Sequence, residues 1–268
     1  MDLLIKEIRE IGLVLNQKTG VDISSWASTS CKRRLIKAME TLFVKNAEDL
    51  KNKLQQTSFA QHFLTHLIVD QTEYFRDVPM WRKLKSDIFP KFTSANKISI
   101  LYTGVSTGED LFTLLIVLKQ LNLLAKVDIT ATEYTQEALD NLQKRVLSEK
   151  EMEISIKNYE RLEVEGDFSK YFDINNGNWQ IQKIFLNTFK TKVDNLENTQ
   201  ITGKYDFIFC RNQTIYFNPT AKDKILNSLD DLLKIGGVLL LGVKEKLNDM
   251  LDKKYHEILA DESVYIKK

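Results

Sequence analysis

Beyond Lys97 the sequence alternates short apolar runs with segments of helical period, and that alternation leaves few folds open. Ile98-Ser99-Ile100-Leu101-Tyr102 reads as a strand, Asp110 to Leu121 as a helix, Lys126 to Thr132 as a second strand and Thr135 to Leu147 as a second helix. Tyr205 to Phe209 reads as a third strand, Ala221 to Lys234 as a helix, Gly236-Gly237 as a turn and Val238 to Val243 as a fourth strand. Short strands joined by helices bury their apolar faces by stacking those helices on a largely parallel sheet. Trp179 to Phe185 and Thr188 to Val193 alternate weakly, and Val264-Tyr265-Ile266 is a candidate last strand. Ser148 to Phe172 reads as partly helical and highly charged, with a hairpin turn signal only at Asn175-Asn176-Gly177-Asn178. An antiparallel or irregular insertion is expected there.

Residues 1 to 90 are different: every periodic stretch there is helical. Leu3, Leu4, Ile8, Ile11, Leu13 and Leu15 form one apolar face, which Thr19-Gly20 ends. Further helices begin near Ser28, after Asn46-Ala47-Glu48-Asp49, near Ser58 and at Pro79, with Val69 to Arg76 out of period. Pro90 and Thr93-Ser94-Ala95-Asn96 read as a linker. The expected organisation is a small all-helical N-terminal domain over residues 1–90 and an α/β domain over residues 91–268.

The 268 residues, 43% hydrophobic and 28% charged, are enough for two such units and argue against disorder. A net charge of +1 gives no field that would draw nucleic acid or an anionic membrane. Two cysteines far apart, Cys31 and Cys210, suit a reducing compartment. With no leader and no spanning run in view, a cytoplasmic protein and a monomer are expected.

The most informative local pattern is the loop after the first strand, Gly104-Val105-Ser106-Thr107-Gly108-Glu109. Glycines there permit a sharp turn and close approach of a nucleotide. Glu133, just past the second strand, stands where an acid accepts hydrogen bonds from a ribose diol in doubly wound folds. Glu109 and Asp110 at the start of the next helix would repel a pyrophosphate and attract a cation, which favours S-adenosylmethionine (SAM) over a nicotinamide dinucleotide.

Four segments together resemble the CheR-type chemotaxis receptor methyltransferases, over nearly the whole chain. Thr72-Glu73-Tyr74-Phe75-Arg76-Asp77 is similar to the family's Thr-x-Phe-Phe-Arg element, and Gly104 to Asp110 to its Ser-Thr-Gly-Glu-Glu loop. Phe207-Ile208-Phe209-Cys210-Arg211-Asn212-Gln213-Thr214-Ile215-Tyr216-Phe217 resembles its Phe-Cys-Arg-Asn-x-x-Ile-Tyr-Phe stretch. Leu233 to Gly237, followed by Leu239 to Gly242, resembles its late Pro-Gly-Gly turn and strand. The resemblance implies a Rossmann-like doubly wound SAM-dependent methyltransferase fold that esterifies receptor glutamates, with the cytoplasmic helices of a chemoreceptor as partner.

Residue by residue, the resemblance implies a SAM site made of Asp70, Thr72, Arg76, Gly104, Ser106, Thr107, Glu109, Glu133, Asn195, Leu196, Arg211 and Asn212. Glu109 would take the methionine amino group, Glu133 the ribose hydroxyls, and Asn195 and Leu196 the adenine. Arg76 and Tyr216 would stand at the transferred methyl. A glutamate carboxylate is ionised at pH 7, so alignment and water exclusion, rather than a general base, are what such a site supplies. A basic helix carrying Lys32, Arg33, Arg34 and Lys37 is either a solvated face or, as in the family, a face toward acidic receptor helices.

The sequence departs from the family pattern in three places. Val243-Lys244-Glu245 replaces His-Ser-Glu, Glu133-Tyr134-Thr135 replaces Asp-x-Asp, and residues 148–180 show little of the small β-subdomain that in many members docks a receptor's C-terminal peptide. The alternatives left open are a non-catalytic SAM-binding regulatory protein of the same fold and a methyltransferase with another substrate. His62 and His66 are four apart on a helix without a third ligand in view, and no metal is expected.

Overall fold

A computed structural model describes residues 3–69, 72–163, 166–175 and 177–268. The first helices are α1 (Ile5–Thr19), α2 (Ser28–Thr41), α3 (Ala47–Leu54), α4 (Thr57–Ile68) and α5 (Val78–Lys83). Gly20, at φ 76°, ends α1 in the left-handed conformation that a Cβ disfavours. Asn46 accepts the Asp49 backbone N–H at 2.9 Å and so starts α3. Leu35, Met39, Leu50, Leu54, Phe63 and Leu64 are buried on the inward faces.

The remaining elements in chain order are β1 (Ile98–Tyr102), α6 (Glu109–Gln120), β2 (Val127–Glu133), α7 (Gln136–Gln143), β3 (Val146–Leu147), α8 (Glu149–Glu160), β4 (Phe172–Asn175) and β5 (Asn178–Ile181). They continue with α9 (Lys183–Leu186), β6 (Phe189–Val193), β7 (Tyr205–Cys210), α10 (Pro219–Leu232), β8 (Leu233–Leu241), α11 (Asp249–Asp252), β9 (Tyr255–Leu259) and β10 (Val264–Lys267).

Seven strands form one sheet in the order β6-β2-β1-β7-β8-β10-β9. The first five run parallel and β10 is antiparallel to both its neighbours. The chain leaves β1 toward β2 on one side and later returns as β7 on the other. Such a reversal opens a crevice at the carboxyl ends of these strands. The expected doubly wound α/β fold is therefore present.

The sheet's two faces carry two cores. Ile100, Phe207, Phe209 and Leu240 pack with α6 and with Tyr74, Phe75, Trp81 and Phe89. Leu101, Ile208, Leu239 and Leu241 pack with α10 and with Leu35, Met39, Phe63 and Leu67 of the first helices. Alternate residues of one strand thus serve opposite cores, as the two-residue period of a strand requires.

Four local expectations are corrected. The helix expected to reach Leu147 stops at Gln143, and Val146-Leu147 pairs instead with Gln180-Trp179 of β5. With β4 these strands form a three-stranded antiparallel sheet, β3-β5-β4, so the insertion carries an ordered β element beside α8. Only the first part of Trp179 to Phe185 is strand; Lys183–Leu186 is the short helix α9. Gly236-Gly237 does not separate a helix from a strand but lies within β8. Leu233 pairs with Tyr205 and Val238 with Phe207, so Lys234 to Gly237 bulges out opposite Asp206, whose carboxylate Lys234 holds at 2.9 Å.

Gly108 is the tightest point of the glycine loop. It sits at φ +98°, and a Cβ there would come within 2.1 Å of Leu142 Cδ1 and 2.8 Å of Phe112 Cε2. Gly108→Ala is expected to lower stability by roughly 2–4 kcal/mol through positive-φ strain and overpacking, measured as a fall in the urea midpoint at unchanged slope.

Candidate active site

The crevice at the ends of β1, β2 and β7 holds a cavity lined by Thr72, Arg76, Gly104, Ser106, Glu133, Arg211, Asn212 and Tyr216 among the expected residues. Trp26, Arg34 and Gln213 also line it. The loop from β1 is held at both sides: Thr103 N–H donates to Phe209 O at 2.9 Å and Val105 N–H to Thr132 O at 3.1 Å. Gly104, at φ +54°, lies against Gln213, and a Cβ there would come 2.1 Å from Gln213 Nε2. That amide donates to the carbonyls of Thr103 and Gly104.

Ser106, at φ 53°, points its N–H at Glu133 Oε2, 2.9 Å away, and Tyr134 N–H donates to Oε1 at 2.9 Å. Glu133 is only 4% exposed, and burial pushes its carboxyl up while the two backbone donors offset part of that rise. Each carboxylate oxygen keeps acceptor capacity beyond its backbone donor.

The acids of the α6 start are neutralised from within. Arg211, its side chain 2% exposed, donates to Asp110 Oδ1 at 2.5 Å and Oδ2 at 2.6 Å and also to Asp77 Oδ2. Tyr102 donates its hydroxyl proton to Asp110, and Trp81 lies 5.8 Å from the Arg211 guanidinium. Glu109, 1% exposed, accepts from Thr107 Oγ1 and from Arg145 Nε at 3.0 Å, and Arg145 also reaches Glu151. Burial pushes the Glu109 carboxyl up, and Thr107 and Arg145 counter this. The expectation that Glu109 and Asp110 act as open charges is corrected: each already has a guanidinium. Their repulsion of a pyrophosphate therefore carries no weight in choosing a cofactor.

Glu109 and Arg145 line a second cavity with Glu73, Glu151, Thr72 and Arg76, so the last two face both spaces. Arg76 is exposed, and its guanidinium has no hydrogen-bond or ion-pair partner among the described residues. It stands between Phe75 and Asp77, both in the left-handed region at φ 53° and 58°. That strained turn is pinned by Phe75 N–H on Thr113 Oγ1 at 3.0 Å and by Asp77 on Arg211. Tyr216 carries the Arg34 guanidinium 3.8 Å from its ring centroid. Arg34 itself is buried and donates to the carbonyls of Leu67 and Ile68 at the end of α4. The basic cluster of α2 is thus divided, with Arg34 inward and Arg33 and Lys37 outward.

Of the expected residues, Glu109 lines only the second cavity, and Thr107, Asn195 and Leu196 line neither. Thr107 holds Glu109, Asn195 accepts the Glu197 N–H at 3.0 Å, and Leu196 is packed in the core beside Tyr134. Asp194 N–H donates to Glu133 O at 2.9 Å, so this segment adjoins the end of β2. Asp70 lies outside the described residues. Val243 and Lys244 are exposed and line neither cavity. Glu245 is fully buried and gathers donors from Asn212 N–H at 2.7 Å, Thr214 Oγ1 at 2.7 Å, Ile215 N–H at 3.2 Å and Gly242 N–H.

The sequence gives no site role to Arg145, Asp77, Gln213, Glu245 or Trp26, and places Arg34 only in a basic helix face. Asp77, Gln213 and Glu245 lie inside the motifs, close to residues that carry a role. Arg145 had no local signal, because its partner Glu109 is 36 residues away.

Residues 70–263 match the family model described as CheR methyltransferase, SAM binding domain. Chemotaxis protein methyltransferase 1 of Pseudomonas aeruginosa is 27% identical over 257 residues, covering 91% of this chain and 91% of that protein. Chemotaxis protein methyltransferase 1 of Vibrio cholerae is 30% identical over 201 residues, covering 70% of this chain and 68% of that protein.

Glu245→Ala would leave several buried donors of the 212–215 turn and Gly242 without an acceptor. At about 1–3 kcal/mol for each stranded group, a loss of roughly 3 kcal/mol or more is expected in chemical unfolding. Glu245→Gln, which keeps one acceptor, should lose less.

Proposed function

We propose that this chain, which belongs to the CheR methyltransferase family and has SAM as its cofactor, esterifies glutamate side chains of a chemoreceptor or similar sensory protein. Arg76 carries the reading. Arg34, Arg145 and Arg211 are engaged by protein groups, whereas Arg76 presents its guanidinium to both cavities without a partner among the described residues. A planar fork of this kind matches a carboxylate by two parallel hydrogen bonds.

The residues present fit SAM. Glu133 has acceptor capacity for a diol, as its two oxygens each hold one backbone N–H. Gly104, Ser106 and Asn212 bring backbone to the same cavity, and Thr72 closes it from the other side. We assign the adenine flank to Asn195 and Leu196, which adjoin the end of β2. A methionine ammonium at Glu109 would share that carboxylate with Arg145, and Thr107 keeps it oriented. Arg211 acts by fixing Asp110 and Asp77 rather than by reaching for the cofactor.

When bound, SAM supplies a methyl group on a cationic sulfur that leaves as a neutral thioether. The chain aligns the nucleophile. Arg76 holds one face of the substrate carboxylate, so that a free oxygen lone pair points at the methyl carbon. Tyr216, stacked by Arg34, walls the approach and limits water there. The carboxylate is already ionised at neutral pH, so no proton has to be removed.

Incubation with methyl-labelled SAM and cytoplasmic chemoreceptor fragments is expected to label the fragments, and alkali is expected to release the label as methanol. Alkali-stable label would assign another substrate group, and binding without label would assign a non-catalytic role; either overturns the proposal. Arg76→Ala should reduce turnover by about a hundredfold, the cost of a misplaced reactant, with a much smaller change in the affinity for S-adenosylhomocysteine (SAH) measured by calorimetry.

Glu133 predicts a pH dependence. Its carboxyl titrates above the ordinary glutamate range because it is buried, and only the ionised form accepts both hydroxyls. SAH affinity should therefore fall as pH is lowered through that raised pKa, while the protein is still folded. Glu133→Gln should bind roughly tenfold more weakly or worse, the scale of one lost charge-assisted hydrogen bond, and show a flattened pH profile in the same titration.

A further inference from the structure

We propose that His62, His66 and Glu137 form a binding site for a divalent zinc-type ion at the junction of α4 and α7, away from the methyl-transfer cavity. One ligand atom from each of the three side chains lies within 4.8 Å of the other two. His62 Nδ1 and Glu137 Oε1 are hydrogen-bonded at 2.7 Å, and the two imidazole rings stand 4.7 Å apart at 82°. Histidines one helical turn apart on a common face form a two-point ligand for zinc, and a carboxylate completes a His2Glu set. Nitrogen and carboxylate ligands at roughly 2.0–2.1 Å from a tetrahedral ion would be about 3.3 Å from one another. The His62–Glu137 contact would open slightly and the longer separations would close.

The two elements are already clamped beside the cluster. Thr65 and Thr135 share a buried hydrogen bond of 2.7 Å, and Thr135 also accepts the Ala138 N–H at 3.2 Å as the cap of α7. The ligands therefore need only side-chain adjustment. Side chains of His62 and Glu137 are 44% and 37% exposed, so an ion and a fourth, water ligand have access. Glu137 lies in the first turn of α7, shortly after Glu133, so the ion would tie the N-terminal helices to the segment that carries the ribose acid. Glu137 is 75 residues from His62, which is why the third ligand was invisible in the sequence.

The full chain, freed of metal with a chelator, should bind one equivalent of Zn(II) in calorimetric competition with a weak chelator. Zn(II) should also raise its thermal midpoint, since a ligand that binds only the folded state stabilises it. His66→Gln and Glu137→Gln should each weaken binding about tenfold or more and abolish the zinc-dependent rise. Glu137→Gln is a partly exposed, isosteric change that keeps the fold, so the test survives if His66→Gln does not fold. Absence of saturable binding at micromolar protein, or wild-type affinity in a folded variant, overturns the proposal.

Discussion

The buried guanidinium of Arg211 holds the site together. It sits at the end of β7 and binds Asp110 in the first turn of α6 and Asp77 at the start of α5. Three segments that converge on the crevice are thereby fixed to one group. Removing one partner from such a buried arrangement typically costs about 3–5 kcal/mol, because a charge is left without compensation. Asp77 is in turn what holds the strained 75–77 turn, and that turn aims Arg76 into the cavity. The position of Arg76 therefore depends on a residue that need not touch any ligand.

Adjacent carboxylates at the head of α6 interact well with the helix dipole and badly with each other. Arg145 and Arg211 resolve that conflict separately, one toward α8 and the other toward β7. With those charges matched, Glu133 shares the cavity with the guanidinium groups of Arg34 and Arg76. A molecule with a diol at one end and an anionic substrate carboxylate brought to the other fits that polarity. The N-terminal helices complete the wall. Ala27 N–H donates to Tyr216 O and Asn218 N–H to Ser25 O, both at 2.8 Å, and these backbone bonds bring Trp26 against Phe217 and Arg34 against Tyr216.

Much of the fold was legible because its signals are local. The strand-loop-helix at residues 98–120 and the acid that ends β2 follow from period and turn chemistry within a few residues. Asn195 and Leu196 were assigned by motif, yet only the fold shows that they adjoin Glu133 through Asp194. Local pattern failed where a distant partner decides the outcome. Val146-Leu147 has helical neighbours on both sides and becomes strand only because β5 is there to pair with it. Gly236-Gly237 reads as a turn after a helix ending at Lys234, and Lys234 to Gly237 becomes a bulge because β8 begins pairing at Leu233 and resumes at Val238. The ion pairs of the site join residues 36, 101 and 134 positions apart, and no window on the sequence spans them. In the segment Val243-Lys244-Glu245 the two altered residues are exposed, and the structural role falls to Glu245, which is buried.

With the acids of α6 internally matched, recognition in the cavity comes down to Glu133 for the nucleoside diol and Arg76 for the substrate carboxylate. Parallel calorimetric titrations of the full chain with SAH and with NAD test that most directly. Saturable one-to-one binding of SAH, with no measurable heat from NAD, is the predicted result. No binding of SAH, or binding of NAD with comparable affinity, would contradict it.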